Sequence, residues 1–163
     1  RGELLPRPLE SHLINGALVS GERVEGAACG EAHTVLLIQG MLFSWGAGDR
    51  GQLGRADPQW DAAGRPGWSA PGPVAALDDA GEAVLQVSCG AHHCAALCSP
   101  SGRIYLWGES KSIPGNSSPA PVMVDGPWEA EGDAIRQVAC GDMFTCCLSA
   151  SGRVYSWGAG HGG

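Results

Sequence analysis

Lysine is almost missing from this chain, and basic residues in general are few. Lys111 is the one lysine among 163 residues, and 10 basic side chains stand against 17 acidic ones, which gives a formal net charge of −7. A protein that binds DNA or RNA needs cations to replace the counterions of the phosphates, and an anionic membrane attracts basic segments in the same way. The composition therefore predicts neither nucleic acid nor a membrane as a partner.

Long hydrophobic runs are also lacking. No apolar stretch approaches the roughly 18 residues of a membrane-spanning helix, and no secretory signal peptide is visible. Because the chain starts with Arg1 and ends abruptly in Gly162 and Gly163, we expect a piece of a longer protein. Its seven cysteines, an odd number without a secretory signal, favour reduced thiols in an intracellular compartment, cytoplasmic or nuclear.

Glycine and proline, in contrast, are abundant, with 26 and 11 residues among 44% hydrophobic ones. They alternate with short apolar runs and have no collagen period, which is typical of many short strands joined by tight turns. No segment has a sustained helical period with caps. The composition thus predicts an all-β domain with a real core.

One unit occurs three times along the chain. Each copy has a Cys-Gly pair, an apolar stretch, and a glycine five residues before a Trp-Gly pair; a Pro-x-Pro element precedes each Cys-Gly. The interval between copies, roughly 50 to 65 residues, suits a propeller blade. The recurring positions are Cys29, Cys89 and Cys140; Gly40, Gly102 and Gly152; and Trp45, Trp107 and Trp157.

Each copy contains four short strand patterns. In the third copy we predict them, in this order, at residues 122–124, 135–139, 145–149 and 153–157. Prolines are confined to the start of the first strand, as a sheet edge allows, and Gly152 supplies the positive φ of a hairpin between the last two. Four antiparallel strands per repeated unit predict a β-propeller.

Residues 46–51 fit the G-x-G-x-x-G pattern of a dinucleotide-binding loop. Such a loop must lead from a strand into a helix whose N-terminus faces the pyrophosphate. Here Gly54 and Pro58 would spoil the first helical turns. We therefore predict a glycine-dependent bend that leads out of a blade, and no nucleotide cofactor.

The combined motifs resemble the regulator of chromosome condensation repeat. They are Val-x-Cys-Gly, His33-Thr34, Gly-x-Val-Tyr-x-Trp-Gly and Gly-Gln-Leu-Gly at 51–54; the His-Thr element is degenerate in the other copies, as His93-Cys94 and Phe144-Thr145. The resemblance implies a seven-bladed ring with four antiparallel strands per blade, of which this chain supplies three. It also implies guanine-nucleotide exchange on a small GTPase as one function, because the founding member performs it.

The predicted partial propeller covers residues 1–163. We place the first blade at about 4–54, the second at about 71–116 and the third at about 119–163, with a long inter-blade loop at 55–70. Loops of this length are usually functional or disordered.

One cluster of reactive side chains in the second copy allows two functional interpretations, a metal site and a catalytic nucleophile. Its Cys-Gly segment gathers two histidines and three cysteines, namely Cys89, His92, His93, Cys94 and Cys98. Zinc ligands usually come as two separated pairs, and a Cys-His nucleophile needs a third group that orients the base. Since Cys94 and Cys98 share one face of a strand, we predict buried thiols that pack between blades, with no metal and no enzymatic activity. A zinc or redox site at Cys89–Cys98 is the alternative.

Partner-binding residues are predicted in the loops. We assign them to Asp49, Arg50, Trp60 and Trp68, because an exposed tryptophan is a common hot spot of protein interfaces. The alternative is that Trp60 and Trp68 fold back over the blade edge. We predict a non-catalytic protein-interaction scaffold within a larger protein, with a small GTPase and nucleotide exchange as the alternative.

Strand antiparallelism sorts the loops onto two opposite faces. One face is predicted to be mostly acidic and could steer a basic partner, or its charges could simply keep the loops solvated. The other face carries His33, His92, His93 and the long loop with Trp60 and Trp68. The acidic side chains are Asp78, Asp79, Glu82, Asp125, Glu129, Glu131 and Asp133, beside Arg103 and Arg153.

Overall fold

The computed structural model describes residues 23–55 and 71–160. Within these ranges the chain consists of short strands, two α-helices of five residues each and a three-residue 3-10 helix at Pro114–Asn116. In chain order the strands and α-helices are β1 (Val24–Cys29), β2 (His33–Ile38), β3 (Met41–Gly46), β4 (Gly72–Pro73), α1 (Ala75–Asp79), β5 (Ala83–Cys89), β6 (His93–Ser99), β7 (Ile104–Glu109), β8 (Ser117–Val124), α2 (Pro127–Glu131), β9 (Ile135–Cys140), β10 (Phe144–Ser149) and β11 (Val154–Gly158).

The strands form three sheets in series. The first has the order β1-β2-β3-β4 and the second β5-β6-β7-β8; the third contains β9, β10 and β11 among the described residues. Every neighbouring pair is antiparallel. The predicted all-β architecture of repeated antiparallel sheets is therefore confirmed.

The hairpin turns follow the repeated glycine. Gly40, Gly102 and Gly152 have φ values of 77°, 71° and 88°. This left-handed conformation is costly for residues that have a Cβ, which explains why a glycine stands at the same place in each copy. The turn connects the middle strand of each sheet to the strand that ends in Trp-Gly, as predicted.

The proline-containing strand belongs to a different sheet from the one we predicted. The predicted first strand of the third blade, 122–124, lies within β8, where Val122 faces Leu106 and Val124 faces Ile104 of β7. It is thus the outer strand of the second sheet. β4 likewise pairs with β3 of the first sheet. The physical reason is that α2, in the connection after β8, carries the chain across to the next sheet.

The two α-helices lie in the connections between sheets, where the sequence showed no helical period. In α2, Pro127 occupies the first turn, and Gly132 ends the helix with a φ of 64°, as proline and glycine favour at these two positions. Each helix buries one apolar side chain: Leu77 in α1 and Trp128 in α2. Each short helix therefore covers one end of the apolar core between two consecutive sheets.

The core lies between the sheets. Cys94, Ala96 and Cys98 of β6 pack toward the first sheet, and Ala95 and Leu97 pack toward the third. Because β6 is buried on both faces, it reads in the sequence as a continuous run of small apolar residues. The predicted burial of thiols between blades is confirmed for Cys94 and Cys98, neither of which is exposed.

Candidate functional site

The loops emerge at two opposite faces of the stacked sheets, as strand antiparallelism requires. At the acidic face, charged side chains are paired locally. The Arg103 guanidinium lies 3.4 Å from Glu82, whose other carboxylate oxygen accepts a 2.7 Å hydrogen bond from Ser101. Arg153 pairs with Glu131. Two of the basic groups on this face are therefore engaged with its own acidic residues.

The opposite face holds two of the four predicted partner-binding residues. The Arg50 guanidinium donates to Glu109 at a distance of 3.0 Å, and both side chains are about two-fifths exposed, at 43% and 40%. The Asp49 carboxylate accepts a 3.3 Å hydrogen bond from the Gln52 amide. Trp60 and Trp68 lie outside the described residues. The structure thus places Asp49 and Arg50 together at the surface, beside the second sheet.

The glycine-rich loop after β3 makes tight turns. The amide of Gly51 donates to the Gly48 carbonyl at 3.1 Å, and that of Gly54 donates to the Gly51 carbonyl at 3.0 Å. Within the described part of this loop, which extends to residue 55, no helix follows Gly51. The geometry matches the predicted bend and lacks the helix N-terminus on which a dinucleotide loop depends.

This loop is fixed to the second sheet through Gln52, which is only 2% exposed. Its carbonyl oxygen accepts a 3.1 Å hydrogen bond from the indole Nε1 of Trp107, a side chain with no exposed surface. Gly54 lies against the same indole; a Cβ added there would stand 2.7 Å from Nε1. The glycine is needed because Trp107 occupies the space that a side chain would fill.

The same contact recurs one repeat later. The indole Nε1 of Trp157 donates to the Ser112 carbonyl at 3.0 Å. The hydroxyl of Thr145 donates to that of Ser112 at 2.9 Å and lies 3.1 Å from Nε2 of His93. We call this set, His93, Ser112, Thr145 and Trp157, the second junction. The set His33, Gln52, Cys94 and Trp107 is the first junction.

Sulfur takes the place of the hydroxyl in the first junction. Nε2 of His33 lies 3.1 Å from Sγ of Cys94, which also lies 3.5 Å from the Gln52 carbonyl oxygen. Sγ of Cys89 is 3.3 Å from Sγ of Cys94. The hydrogen bond from Cys94 lowers the pKa of Cys89 to about 6, assisted by His33, whereas burial raises the pKa of Cys94.

The sequence pattern did not reveal which histidine would meet the thiols. His93 points to the third sheet, and burial lowers its pKa to about 4, so its ring is neutral at pH 7. His92 lies 3.3 Å from Glu31 at the surface. The imidazole beside Cys94 comes instead from His33, in the preceding repeat. The available signal was that His33 and His93 occupy equivalent repeat positions, each facing the following sheet.

The Cys-Gly glycine has a steric role in these junctions. A Cβ on Gly90 would lie 2.3 Å from Cε1 of His93 and 2.4 Å from the carbonyl oxygen of Gly141 in the next repeat. Neighbouring turns also bond through their backbones: Glu31 donates to Ala91 at 3.2 Å. Because Gly90 has no side chain, the second and third sheets can approach each other closely.

None of the helices in the described residues has the length and apolar character that a membrane crossing would require.

Family models and known proteins that resemble this chain all point to one type of repeat. Two models of the regulator of chromosome condensation (RCC1) repeat match residues 39–97 and 135–163. The ultraviolet-B receptor UVR8 of Arabidopsis thaliana is 35% identical over 144 residues, covering 83% of this chain and 30% of the receptor. The probable E3 ubiquitin-protein ligase HERC6 of Homo sapiens is 30% identical over 172 residues, covering all of this chain and 15% of the ligase.

Solved structures agree with these matches. The crystal structure of Prp20p from Saccharomyces cerevisiae, described with its binding properties to Gsp1p and histones, superposes with a TM-score of 0.66 at 26% identity. The match covers 83% of this chain and 32% of Prp20p. The chain spans about a third or less of each of these proteins.

Proposed function

Because this chain belongs to the regulator of chromosome condensation repeat family, we propose that it is part of a non-catalytic protein-interaction scaffold within a larger protein. The β-propeller supplies rigid sheets, and its loops supply the contact surface. We place the partner-binding surface on the loop after β3, at Asp49 and Arg50, and on the connection that follows it, which carries Trp60 and Trp68.

One observation carries this proposal: the base of that loop is buried while its tip is exposed. Gln52 and Leu53 are buried, and the Leu53 carbonyl accepts a 2.6 Å hydrogen bond from Ser44 in β3. Asp49 and Arg50 remain accessible to solvent. A surface held in this way loses little conformational entropy when a partner binds.

The pair of Arg50 and Glu109 adds to the surface. Arg50 lies in the loop that follows β3 of the first sheet and Glu109 ends β7 of the second sheet, so a partner would meet a patch formed by both repeats. The pair is exposed enough that a partner carboxylate could compete for the Arg50 guanidinium. Arginine and tryptophan are the residue types that most often dominate the energy of protein interfaces.

The experiment is affinity capture with the full protein that contains this chain, followed by quantitative mass spectrometry. We expect Trp60→Ala with Trp68→Ala, and separately Arg50→Glu, to deplete the same set of partners at least tenfold. Glu129→Lys is the matched control, since it reverses an exposed charge on the acidic face. An unchanged partner set in both test variants would remove the loop after β3 as the contact.

A second candidate is guanine-nucleotide exchange on a small GTPase. It is supported by the likeness to Prp20p, whose structure was described with its binding to Gsp1p. The test is release of a fluorescent guanine nucleotide from loaded Gsp1p in the presence of the full protein. Exchange predicts release at least tenfold faster than in buffer, and release at the buffer rate would reject this activity toward Gsp1p.

A further inference from the structure

The first junction, together with the neighbouring Cys89, brings three metal-ligating side chains together from two sheets. His33 starts β2 of the first sheet, whereas Cys89 ends β5 and Cys94 starts β6 of the second sheet. Their ligating atoms all lie within 4.8 Å of one another. We propose that His33, Cys89 and Cys94 form a zinc site that ties the first sheet to the second.

The backbone holds the two thiols in a chelating arrangement. Cys89 and Cys94 face each other in the register of β5 and β6. The Gly90 amide donates to the His93 carbonyl at 2.8 Å, so the Cys89–Cys94 pair is the non-hydrogen-bonded pair next to the turn, in which side chains approach more closely. Their four-residue spacing falls within the range of zinc-binding cysteine pairs.

The distances between the ligating atoms suit one ion. Cys94 Sγ lies 3.3 Å from Cys89 Sγ and 3.1 Å from Nε2 of His33. Zinc bonds of about 2.0 Å to nitrogen and about 2.3 Å to sulfur place neighbouring ligand atoms somewhat less than about 4 Å apart. A small outward shift of the three side chains would therefore admit the ion. The Gln52 carbonyl oxygen or a water molecule could take the fourth position.

The net charge of the buried site and the softness of its sulfur ligands both favour zinc. His33 and Cys94 are almost fully buried, and a buried net charge is strongly unfavourable. Two thiolates, one neutral imidazole and one Zn²⁺ sum to zero charge. Two sulfur ligands with one nitrogen are a donor set that suits zinc better than hard cations such as Mg²⁺ or Ca²⁺.

The second junction lacks this arrangement of thiols, so we expect the zinc site at the first junction only. There the position of Cys94 is held by Thr145, whose hydroxyl joins His93 to Ser112. Cys140, the counterpart of Cys89, directs its thiol to the Ser88 carbonyl at 3.5 Å. The sequence places only histidines of the same repeat beside these thiols, which is why it predicts no metal; the fold supplies the imidazole of His33 from the preceding repeat.

The test uses the full protein, purified with a reductant, incubated with zinc sulfate and freed of excess metal by gel filtration. Elemental analysis should find about one zinc per chain, and Cys94→Thr, which copies the second junction, should lose at least nine-tenths of it. Cys29→Ser is the matched control, because Cys29 holds the same repeat position as Cys89 but faces Thr34 in place of a second cysteine. It should keep its zinc.

Two further readouts separate loss of the site from loss of the fold. Cobalt substitution should give a thiolate-to-cobalt charge-transfer absorption in the unaltered protein and none in Cys94→Thr. A chelator should lower the midpoint of thermal unfolding by roughly 5 °C in the unaltered protein and leave that of Cys94→Thr unchanged. Equal zinc in Cys94→Thr and the unaltered protein, or a Cys89–Cys94 disulfide without metal, would overturn the proposal.

Discussion

The two junctions between sheets have the same layout and different chemistry. In each, an indole donates to a backbone carbonyl of the preceding loop, from Trp107 to Gln52 and from Trp157 to Ser112. The group that bridges the histidine to that loop is a thiol in the first junction and a hydroxyl in the second. The repeat thus preserves the backbone acceptor and the indole donor, whereas the bridging side chain varies.

The buried indole of the first junction gives the largest expected effect. Trp107 has no exposed surface, and its Nε1 donates to the Gln52 carbonyl at 3.1 Å. Because the side chain is large and fully buried, Trp107→Ala should lower the free energy of unfolding by roughly 3–5 kcal/mol. Denaturant unfolding of the full protein measures this loss. A loss no larger than the roughly 1–3 kcal/mol of one unpaired polar group would contradict the packing of the indole between the two sheets.

The hydroxyl bridge of the second junction predicts the next largest effect. Thr145→Val preserves the shape of the side chain but leaves Nε2 of His93 and the hydroxyl of Ser112 without their shared partner. Ser112 keeps its 2.8 Å hydrogen bond to the Ser110 hydroxyl, whereas leaving the buried Nε2 of His93 unpaired costs roughly 1–3 kcal/mol. Thr145→Ser, which keeps the hydroxyl, is the control and should lose less. A Thr145→Val variant as stable as the unaltered protein would contradict the bridge.

The surface pair beside the first junction predicts the smallest effect. Arg50 and Glu109 are both more than one-third exposed, and exposed ion pairs contribute roughly 0–1 kcal/mol. Arg50→Ala should therefore change the unfolding free energy by less than about 1 kcal/mol and lose its effect in high salt. A larger, salt-independent loss would show that Arg50 has a structural role in the junction, and would weaken its use as a binding residue.

The repeated unit and its turns could be predicted from the sequence because they depend on local patterns. Gly102 marks a hairpin, and the alternation in 145–149 marks a strand that the structure places at Phe144–Ser149. Which strands share a sheet could not be predicted, because a tandem repeat does not show where a sheet begins. β8 lies between Trp107 and Cys140 in the sequence, so the sequence alone fits its assignment to the second sheet or to the third.

The contacts between sheets could not be predicted from local sequence patterns, for a different reason. His33 and Cys94 are 61 positions apart, and only the packing of one sheet on the next brings them together. The sequence did predict that the glycines after Trp45 form a bend. It did not predict that Gly54 would lie against the indole of the following repeat, since that depends on the relative placement of two sheets.

The most direct test of the account compares two glycines. Gly54 and Gly102 have similar φ values, 66° and 71°, so alanine at either position suffers a similar backbone cost of roughly 1–2 kcal/mol. Only at Gly54 would the new Cβ meet Trp107; at Gly102 it would meet nothing within 4 Å. Denaturant unfolding should find Gly54→Ala less stable than Gly102→Ala by a further 1–3 kcal/mol or so, about the cost of overpacking. Equal losses at the two positions would contradict the claim that the glycine-rich loop fastens one sheet to the tryptophan of the next.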